Sequence, residues 1–202
     1  MPDPSDSLPL LSRAVDAAAR WHAGHTRKGT AVPYVSHLLH VAALVLEHGG
    51  DDEQAAAAVL HDAVEDTEAT LEEVAARFGP RVARIVEDCT DTLPGDTPGR
   101  KSPWEARKRH HLDRMAHLDE ASALVVACDK RHNLESLVVD LETDGRGATA
   151  GRFSSAPEQW VWYYGEALER LRDRIPARLA RELAALTAEL GRLVALEGPA
   201  PD

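Results

Sequence analysis

Apolar side chains recur every three or four residues along most of this chain, which is the spacing of one face of an α-helix. The first stripe predicts a helix that ends near residue 22. A second helix is predicted over residues 35–48, because Gly49 and Gly50 follow it and glycine ends helices. The first stripe consists of Leu8, Leu11, Val15 and Ala18.

A third helix is predicted from residue 53 to about residue 65, with Asp51 or Asp52 as its N-terminal cap. Its central residues, 55–60, are all apolar. A helix that is hydrophobic all round is buried on every side. The pattern therefore places this helix at the centre of the fold.

The rest of the chain also predicts helices, separated by loops rich in glycine and proline. Strand patterns with alternating polar and apolar residues are almost absent. The predicted fold class is therefore all-α, a compact multi-helix bundle. It forms a single domain over residues 1–202, with residues 157–202 as a C-terminal helical extension packed on it. Loops are predicted at residues 24–33, 93–103 and 144–151, and later helices at 122–141, 157–172 and 176–196.

Composition narrows the partners that this chain would have. The formal net charge is −11, which disfavours polymeric nucleic acid because backbone binding needs a basic surface. A small anionic substrate would need a local cluster of cations or a metal. Two cysteines, no long apolar run and a polar N-terminus predict a cytoplasmic protein without a disulfide framework or a membrane segment.

Polar residues capable of metal chemistry follow the apolar third helix. His61 and Asp62 come directly after it, and Glu65 and Asp66 follow one helical turn later, on the same side. Such groups are costly to bury unless they are paired, and a divalent cation is one partner. A mixed set of histidine and carboxylate suits Mn²⁺, Fe²⁺ or a similar ion better than structural zinc.

Two further residues have the same character. His37 faces the apolar side of the second helix, and Asp129 interrupts an apolar helix. Alone, each has a plainer interpretation, a hydrogen-bonded core histidine and an aspartate paired with a neighbouring cation. Together with His61 and Asp62, they favour a metal site.

The order His37, His61-Asp62, Asp129 is the H…HD…D pattern of the HD superfamily. Residues 27–37 read RKGTAVPYVSH, residues 61–67 read HDAVEDT and residues 128–134 read CDKRHNL. These three segments resemble the hydrolase domain of RelA/SpoT-type proteins. In length, the chain resembles the stand-alone small alarmone hydrolases, a class that includes the metazoan SpoT homologues.

This resemblance implies an all-helical HD-domain bundle and an activity. The activity is removal of the 3′-pyrophosphate of (p)ppGpp, a guanosine nucleotide, which gives GDP or GTP and pyrophosphate. The resemblance also implies one Mn²⁺ per chain. It assigns the metal to His37, His61, Asp62 and Asp129, catalysis to Glu65 and Asp66, and substrate contacts to Arg27, Lys28 and Asn133.

Alternatives remain beside this interpretation. Another HD-type phosphohydrolase would act on 5′-nucleotides or on the 2′-phosphate of NADPH, and a non-catalytic nucleotide sensor would keep the fold without turnover. The aromatic cluster Trp160–Tyr164 is typical of a core. Tyr163 is its best candidate for stacking on a substrate base.

Overall fold

The computed structural model describes residues 4–97 and 100–196. These residues contain ten α-helices and no β-strand, and two isolated bridges, Thr26–Pro33 and Thr97–Arg100, lie in loops. The all-α fold class predicted from the sequence is confirmed. The helices are α1 (Pro4–Trp21), α2 (Val35–Glu47), α3 (Asp52–Leu60), α4 (Ala63–Asp66), α5 (Leu71–Phe78), α6 (Pro80–Cys89), α7 (Trp104–Met115), α8 (Glu120–Ala150), α9 (Pro157–Leu171) and α10 (Ala177–Leu196).

The short helix α3 lies at the centre of the bundle. Every residue from Ala55 to Leu60 has no exposed surface, as the sequence predicted. Four of these residues are alanines, whose small side chains let α1, α2, α6 and α8 pack closely around the helix. Asp51 caps the N-terminus by accepting a hydrogen bond from the Gln54 amide at 2.9 Å.

The third helix ends earlier than the sequence predicted. We expected one helix to about residue 65, but α3 ends at Leu60 and the short helix α4 begins at Ala63. Asp62 lies between them with φ −98° and ψ 0°. The His61 ring contacts the Ala58 carbonyl oxygen at 2.7 Å, which satisfies one of the unpaired carbonyls of the helix end. Asp62 and Asp66 remain one turn apart, because the Asp66 backbone amide donates to the Asp62 carbonyl oxygen at 3.0 Å.

The predicted glycine-rich loop at residues 144–151 is also wrong, because α8 extends to Ala150. Two helical segments, which together make up α8, meet at Gly145, whose φ of +78° and ψ of 164° are not helical. Only glycine adopts this conformation without strain. Beyond the kink, the buried Thr149 donates a hydrogen bond to the Asp140 carbonyl at 3.1 Å, and this bond ties the second helical piece to the first.

The long helix α8 connects the parts of the bundle. It packs against α2, α3 and α6 on one side and against α9 and α10 on the other, while α9 also contacts α7. The middle of α8 therefore lies between the α2–α3 core and the C-terminal helices. Among the described residues, none of the helices has the length and apolar character needed to cross a membrane.

Candidate metal centre and adjoining cleft

Four side chains meet where α2, the α3–α4 break and the middle of α8 come together. The Nε2 atom of His37 lies 3.3 Å from Nε2 of His61 and 3.2 Å from Oδ1 of Asp129. The Oδ2 atom of Asp62 lies 3.0 Å from His61 Nε2 and 3.6 Å from His37 Nε2. Ligand atoms about 3–3.5 Å apart are what a single ion with bonds of about 2.0–2.2 Å requires. The structure therefore brings the four expected residues to one place: His37, His61 and Asp129 form a mutually close group, and Asp62 approaches it at the two histidines.

The hydrogen bond of His61 directs its free nitrogen toward this centre. Its Nδ1 lies 2.7 Å from the Ala58 carbonyl oxygen, which can only accept, so Nδ1 carries the proton. A neutral His61 then presents an unprotonated Nε2 to the Asp129 oxygen at 3.4 Å. These atoms all carry lone pairs, and they repel one another unless a cation lies between them.

Electrostatics show the same need for positive charge. Burial opposes the charged form of His61, but the carboxylates of Asp62 and Asp129 outweigh it and raise the pKa of His61 well above its usual value. Burial likewise opposes ionisation of Asp129, yet Lys130 and the histidines hold the pKa of this carboxyl well below its usual range. Extra protons on the histidines or a divalent ion would provide this charge. The set of imidazole nitrogens and carboxylate oxygens fits a divalent ion.

Each metal-site carboxylate also has partners outside the group of four. The Tyr34 hydroxyl donates to Asp62 Oδ2 at 2.5 Å, and burial raises the pKa of Tyr34, which keeps it a donor. The Asn133 amide donates to Asp129 Oδ1 at 2.6 Å, and the Lys130 ammonium lies 2.7 Å from Asp129 Oδ2. Such contacts fix the orientation of ligand side chains.

The acidic pair on α4 is held by a lysine from the loop before α7. Lys101 Nζ lies 2.8 Å from Glu65 Oε1 and 2.9 Å from Asp66 Oδ1. The Asp91 amide donates to Glu65 Oε2 at 3.1 Å. Burial, and then the carboxylates of Asp91 and Asp62, raise the pKa of Glu65 above its usual value. A raised pKa makes the Glu65 carboxylate a stronger base.

Asp91 is a buried residue of this site that the sequence analysis did not identify. It lies in the loop after α6, is 4% exposed, and forms ion pairs with Arg107 and Lys108 of α7. The sequence shows an aspartate in a loop and a run of cations sixteen residues away, and no regular spacing connects them. The one signal in the sequence is the Pro- and Gly-rich segment between them, which is typical of a turn that brings α7 back toward the end of α6.

A cleft of about 680 Å³ adjoins the metal group. Its lining includes Tyr34 and Asn133, which donate hydrogen bonds to the ligands Asp62 and Asp129. Asp66 also lines the cleft. All four residues expected to bind substrate line the same cleft: Arg27, Lys28, Asn133 and Tyr163.

Tyr163 combines both interpretations offered by the sequence. It is only 4% exposed, which agrees with a core residue, but it also lines the cleft. The ammonium groups of Lys108 and Lys130 lie 5.1 and 5.9 Å from its ring centroid. With Arg27 and Lys28 they make four cations against the two carboxylates of Asp66 and Asp140, so the lining of the cleft has a positive excess in a chain whose net charge is −11.

Comparison with known proteins identifies this arrangement. A family profile described as the HD domain matches residues 14–151. The chain belongs to the HD domain family. An HD domain implies a divalent metal, and His37, His61 and Asp129 of this one offer ligand atoms within 4.8 Å of one another.

Relatives of this HD domain protein include proteins named for alarmone chemistry. The human (Homo sapiens) guanosine-3′,5′-bis(diphosphate) 3′-pyrophosphohydrolase MESH1 is 38% identical over 136 residues, which cover 66% of this chain and 72% of MESH1. The GTP pyrophosphokinase rsh of Brucella suis biovar 1 is 33% identical over 141 residues, 70% of this chain but 18% of the much longer rsh. The predicted HD hydrolase of the RelA/SpoT type is confirmed.

Solved structures agree with this HD domain assignment. A metazoan ortholog of SpoT, described as hydrolysing ppGpp, superposes with a TM-score of 0.73 at 25% identity and covers 95% of this chain and 98% of its own. A Listeria monocytogenes EGD-e protein superposes with a TM-score of 0.67 at 27% identity and covers 77% of this chain and 99% of its own.

Proposed function

We propose that this HD domain protein hydrolyses the 3′-pyrophosphate of (p)ppGpp and releases GDP or GTP and pyrophosphate. The observation that carries the proposal is the position of the ligand residues beside a cleft lined by cations: the Nε2 atoms of His37 and His61 lie 3.0–3.6 Å from carboxylate oxygens of Asp62 and Asp129. The name of MESH1, the relative that matches two thirds of the chain, supports the same substrate.

The cleft suits a nucleotide that carries several phosphates. Its volume, about 680 Å³, lies within the roughly 300–1,000 Å³ of small-molecule sites. Arg27, Lys28 and Lys108 would face the phosphates, while the aromatic residues Trp104 and Tyr163 would face the base. A polymeric nucleic acid would meet a chain that is strongly acidic overall.

His37, His61, Asp62 and Asp129 would hold one Mn²⁺. Nitrogen and carboxylate ligands without thiolates suit this ion, and four of them leave positions open in an octahedral shell. When bound, the ion would supply Lewis-acid chemistry, because it neutralises phosphoryl charge and lowers the pKa of water.

The acidic pair would move the protons of the reaction. Water attacks the phosphorus atom joined to the ribose 3′-oxygen. A bond forms between the water oxygen and phosphorus, and the bond between phosphorus and the 3′-oxygen breaks. Glu65, whose pKa is raised by burial, would take a proton from the water. Asp66, which lines the cleft, would give a proton to the departing 3′-oxygen. General acid–base help of this kind contributes about 10²–10⁴-fold.

A panel of phosphorylated nucleotides tests this function. The Mn²⁺-loaded protein would be incubated with ppGpp, pppGpp, NADPH and 5′-nucleotides, and the products identified by chromatography. We expect pyrophosphate with GDP or GTP from the first two substrates. Release of orthophosphate from NADPH or a 5′-nucleotide alone would favour the other HD phosphohydrolases. Tight binding of ppGpp without turnover would favour a nucleotide sensor.

Replacing Arg27 and Lys28 together with alanine should mainly raise KM for ppGpp. Arg27 points across the cleft to Asn133, with Nη2 2.8 Å from Oδ1, and the Lys28 ammonium lies 5.0 Å from the Phe153 ring. Loss of charge-assisted contacts made equally in ground and transition states raises KM on the order of 10- to 100-fold with little change in kcat. Steady-state kinetics would measure both constants.

The matched control replaces the exposed Arg172 and Arg192 with alanine, which removes the same charge away from the cleft. Metal content is measured in every variant, because Arg27 contacts Asn133 and Asn133 contacts Asp129. If KM stays the same in the double variant, Arg27 and Lys28 are ordinary surface cations.

A further inference from the structure

One histidine of the 128–134 segment has no role in the proposed reaction. His132 lies three residues after Asp129 on α8 and lines the cleft. Its Nδ1 atom lies 2.7 Å from Nδ1 of His37, and the two ring centroids are 4.8 Å apart. This contact joins α8 to the first turn of α2, directly behind a metal-site histidine.

Only one proton fits between two nitrogen atoms at this distance, so one ring donates and the other accepts. The position of the metal group decides which one. His37 Nε2 faces His61 Nε2 at 3.3 Å and Asp129 Oδ1 at 3.2 Å. A neutral His37 that binds a cation through Nε2 must carry its proton on Nδ1. The Nδ1 atom of His132 must then be unprotonated and accept the hydrogen bond from His37 Nδ1–H.

We propose that His132 is a positioning residue that fixes His37 in the tautomer able to bind metal. The inference rests on the proposed metal centre but adds a residue outside the group of four. A ligand histidine usually donates its second N–H to a carboxylate, a backbone carbonyl or water. Here the acceptor is a second imidazole, whose own proton must lie on Nε2.

Burial makes this acceptor necessary. The His37 side chain has no exposed surface, so bulk water does not reach it. Among the residues that the structure describes, no other acceptor meets His37 Nδ1. Without His132, the proton of a neutral His37 would move to Nε2, where it hydrogen-bonds to Asp129 and blocks the metal position.

The test compares the metal affinity of three variants by competition with a chelating dye. His132→Leu removes the acceptor, and its Kd for Mn²⁺ should rise about 10- to 100-fold. His132→Asn places Oδ1 near the lost Nδ1, so this variant should keep most of the affinity. His40→Gln is the matched control, since His40 is exposed and its ring centroid lies 4.4 Å from that of His132. It should bind Mn²⁺ as the unaltered protein does.

Circular dichroism and the melting temperature of the metal-free proteins show whether each variant folds. The proposal would be overturned if a folded His132→Leu variant bound Mn²⁺ as tightly as the unaltered protein. It would also be overturned if the asparagine variant lost as much affinity as the leucine variant. If the unaltered protein itself binds no Mn²⁺, the proposed metal centre fails instead. Nitrogen-15 NMR of the Zn²⁺-loaded protein provides an independent readout, and a proton found on Nδ1 of His132 would also refute the assignment.

Discussion

Replacing Asp129 with alanine is expected to remove most of the bound metal and nearly all hydrolysis. The Asp129 Oδ1 atom lies 3.2 and 3.4 Å from the Nε2 atoms of His37 and His61. Its loss removes one of four ligands and half of the negative charge in the group. Metal content by elemental analysis and the rate of pyrophosphate release should fall together.

Stability needs separate measurement in this variant. Lys130 is buried and loses the carboxylate that holds its pKa well above the usual value against the effect of burial. Leaving one charge of a buried pair unpaired costs about 3–5 kcal/mol. Asp129→Asn is therefore studied in parallel, because it keeps an acceptor for Lys130 while it removes the negative charge. We expect it to remain folded and to lose metal as well.

The matched control is Asp88→Asn. Asp88 is a half-buried carboxylate on α6 that accepts from the Ser122 hydroxyl at 2.6 Å, and it is not part of the metal group. It should keep its metal and its rate. Full metal content in a folded Asp129 variant would refute the assignment of Asp129 as a ligand.

Conversion of Glu65 to glutamine or Asp66 to asparagine should lower kcat by a factor of about 10² or more. Each change keeps the shape of the side chain but removes its negative charge and its ability to exchange a proton. The metal should stay, because Glu65 and Asp66 pair with Lys101, whereas the carboxylates of Asp62 and Asp129 are the ones that approach His37 and His61. Affinity for the anionic substrate should be equal or higher, since a negative charge near it is lost.

Metal content, nucleotide affinity and single-turnover rate are measured for both variants. Glu73→Gln is the control, because Glu73 is an exposed carboxylate on α5 paired with Arg77. Loss of metal in step with loss of rate would mean that the acidic pair supports the ion rather than the proton transfers. Normal turnover in both variants would remove catalysis from Glu65 and Asp66 altogether.

The sequence by itself determined the helical fold and the identity of the family. Helix content follows from local spacing, because a period of 3.6 residues decides which side chains share a face. The apolar run from Ala55 to Leu60 therefore predicted the most buried helix of the bundle. The motifs around His61-Asp62 and Asp129 are short and contiguous, so they too could be read without coordinates.

Some local structure already depended on packing. The sequence did not show that α3 ends at Leu60, where the His61 ring contacts the Ala58 carbonyl oxygen, because helix propensity does not report such a side-chain contact. Nor did it show that the chain becomes helical again directly after the break at Gly145, since a glycine-rich stretch normally predicts a loop.

Only the tertiary structure decided how the site is supported. Tyr34 and Asp62 are 28 residues apart, His37 and His132 are 95 apart, and Arg27 and Asn133 are 106 apart. No periodic pattern reports contacts over such separations. They exist because α2 and α8 pack around α3, which brings the Tyr34 hydroxyl and the His132 imidazole to the metal ligands and the Arg27 guanidinium to Asn133.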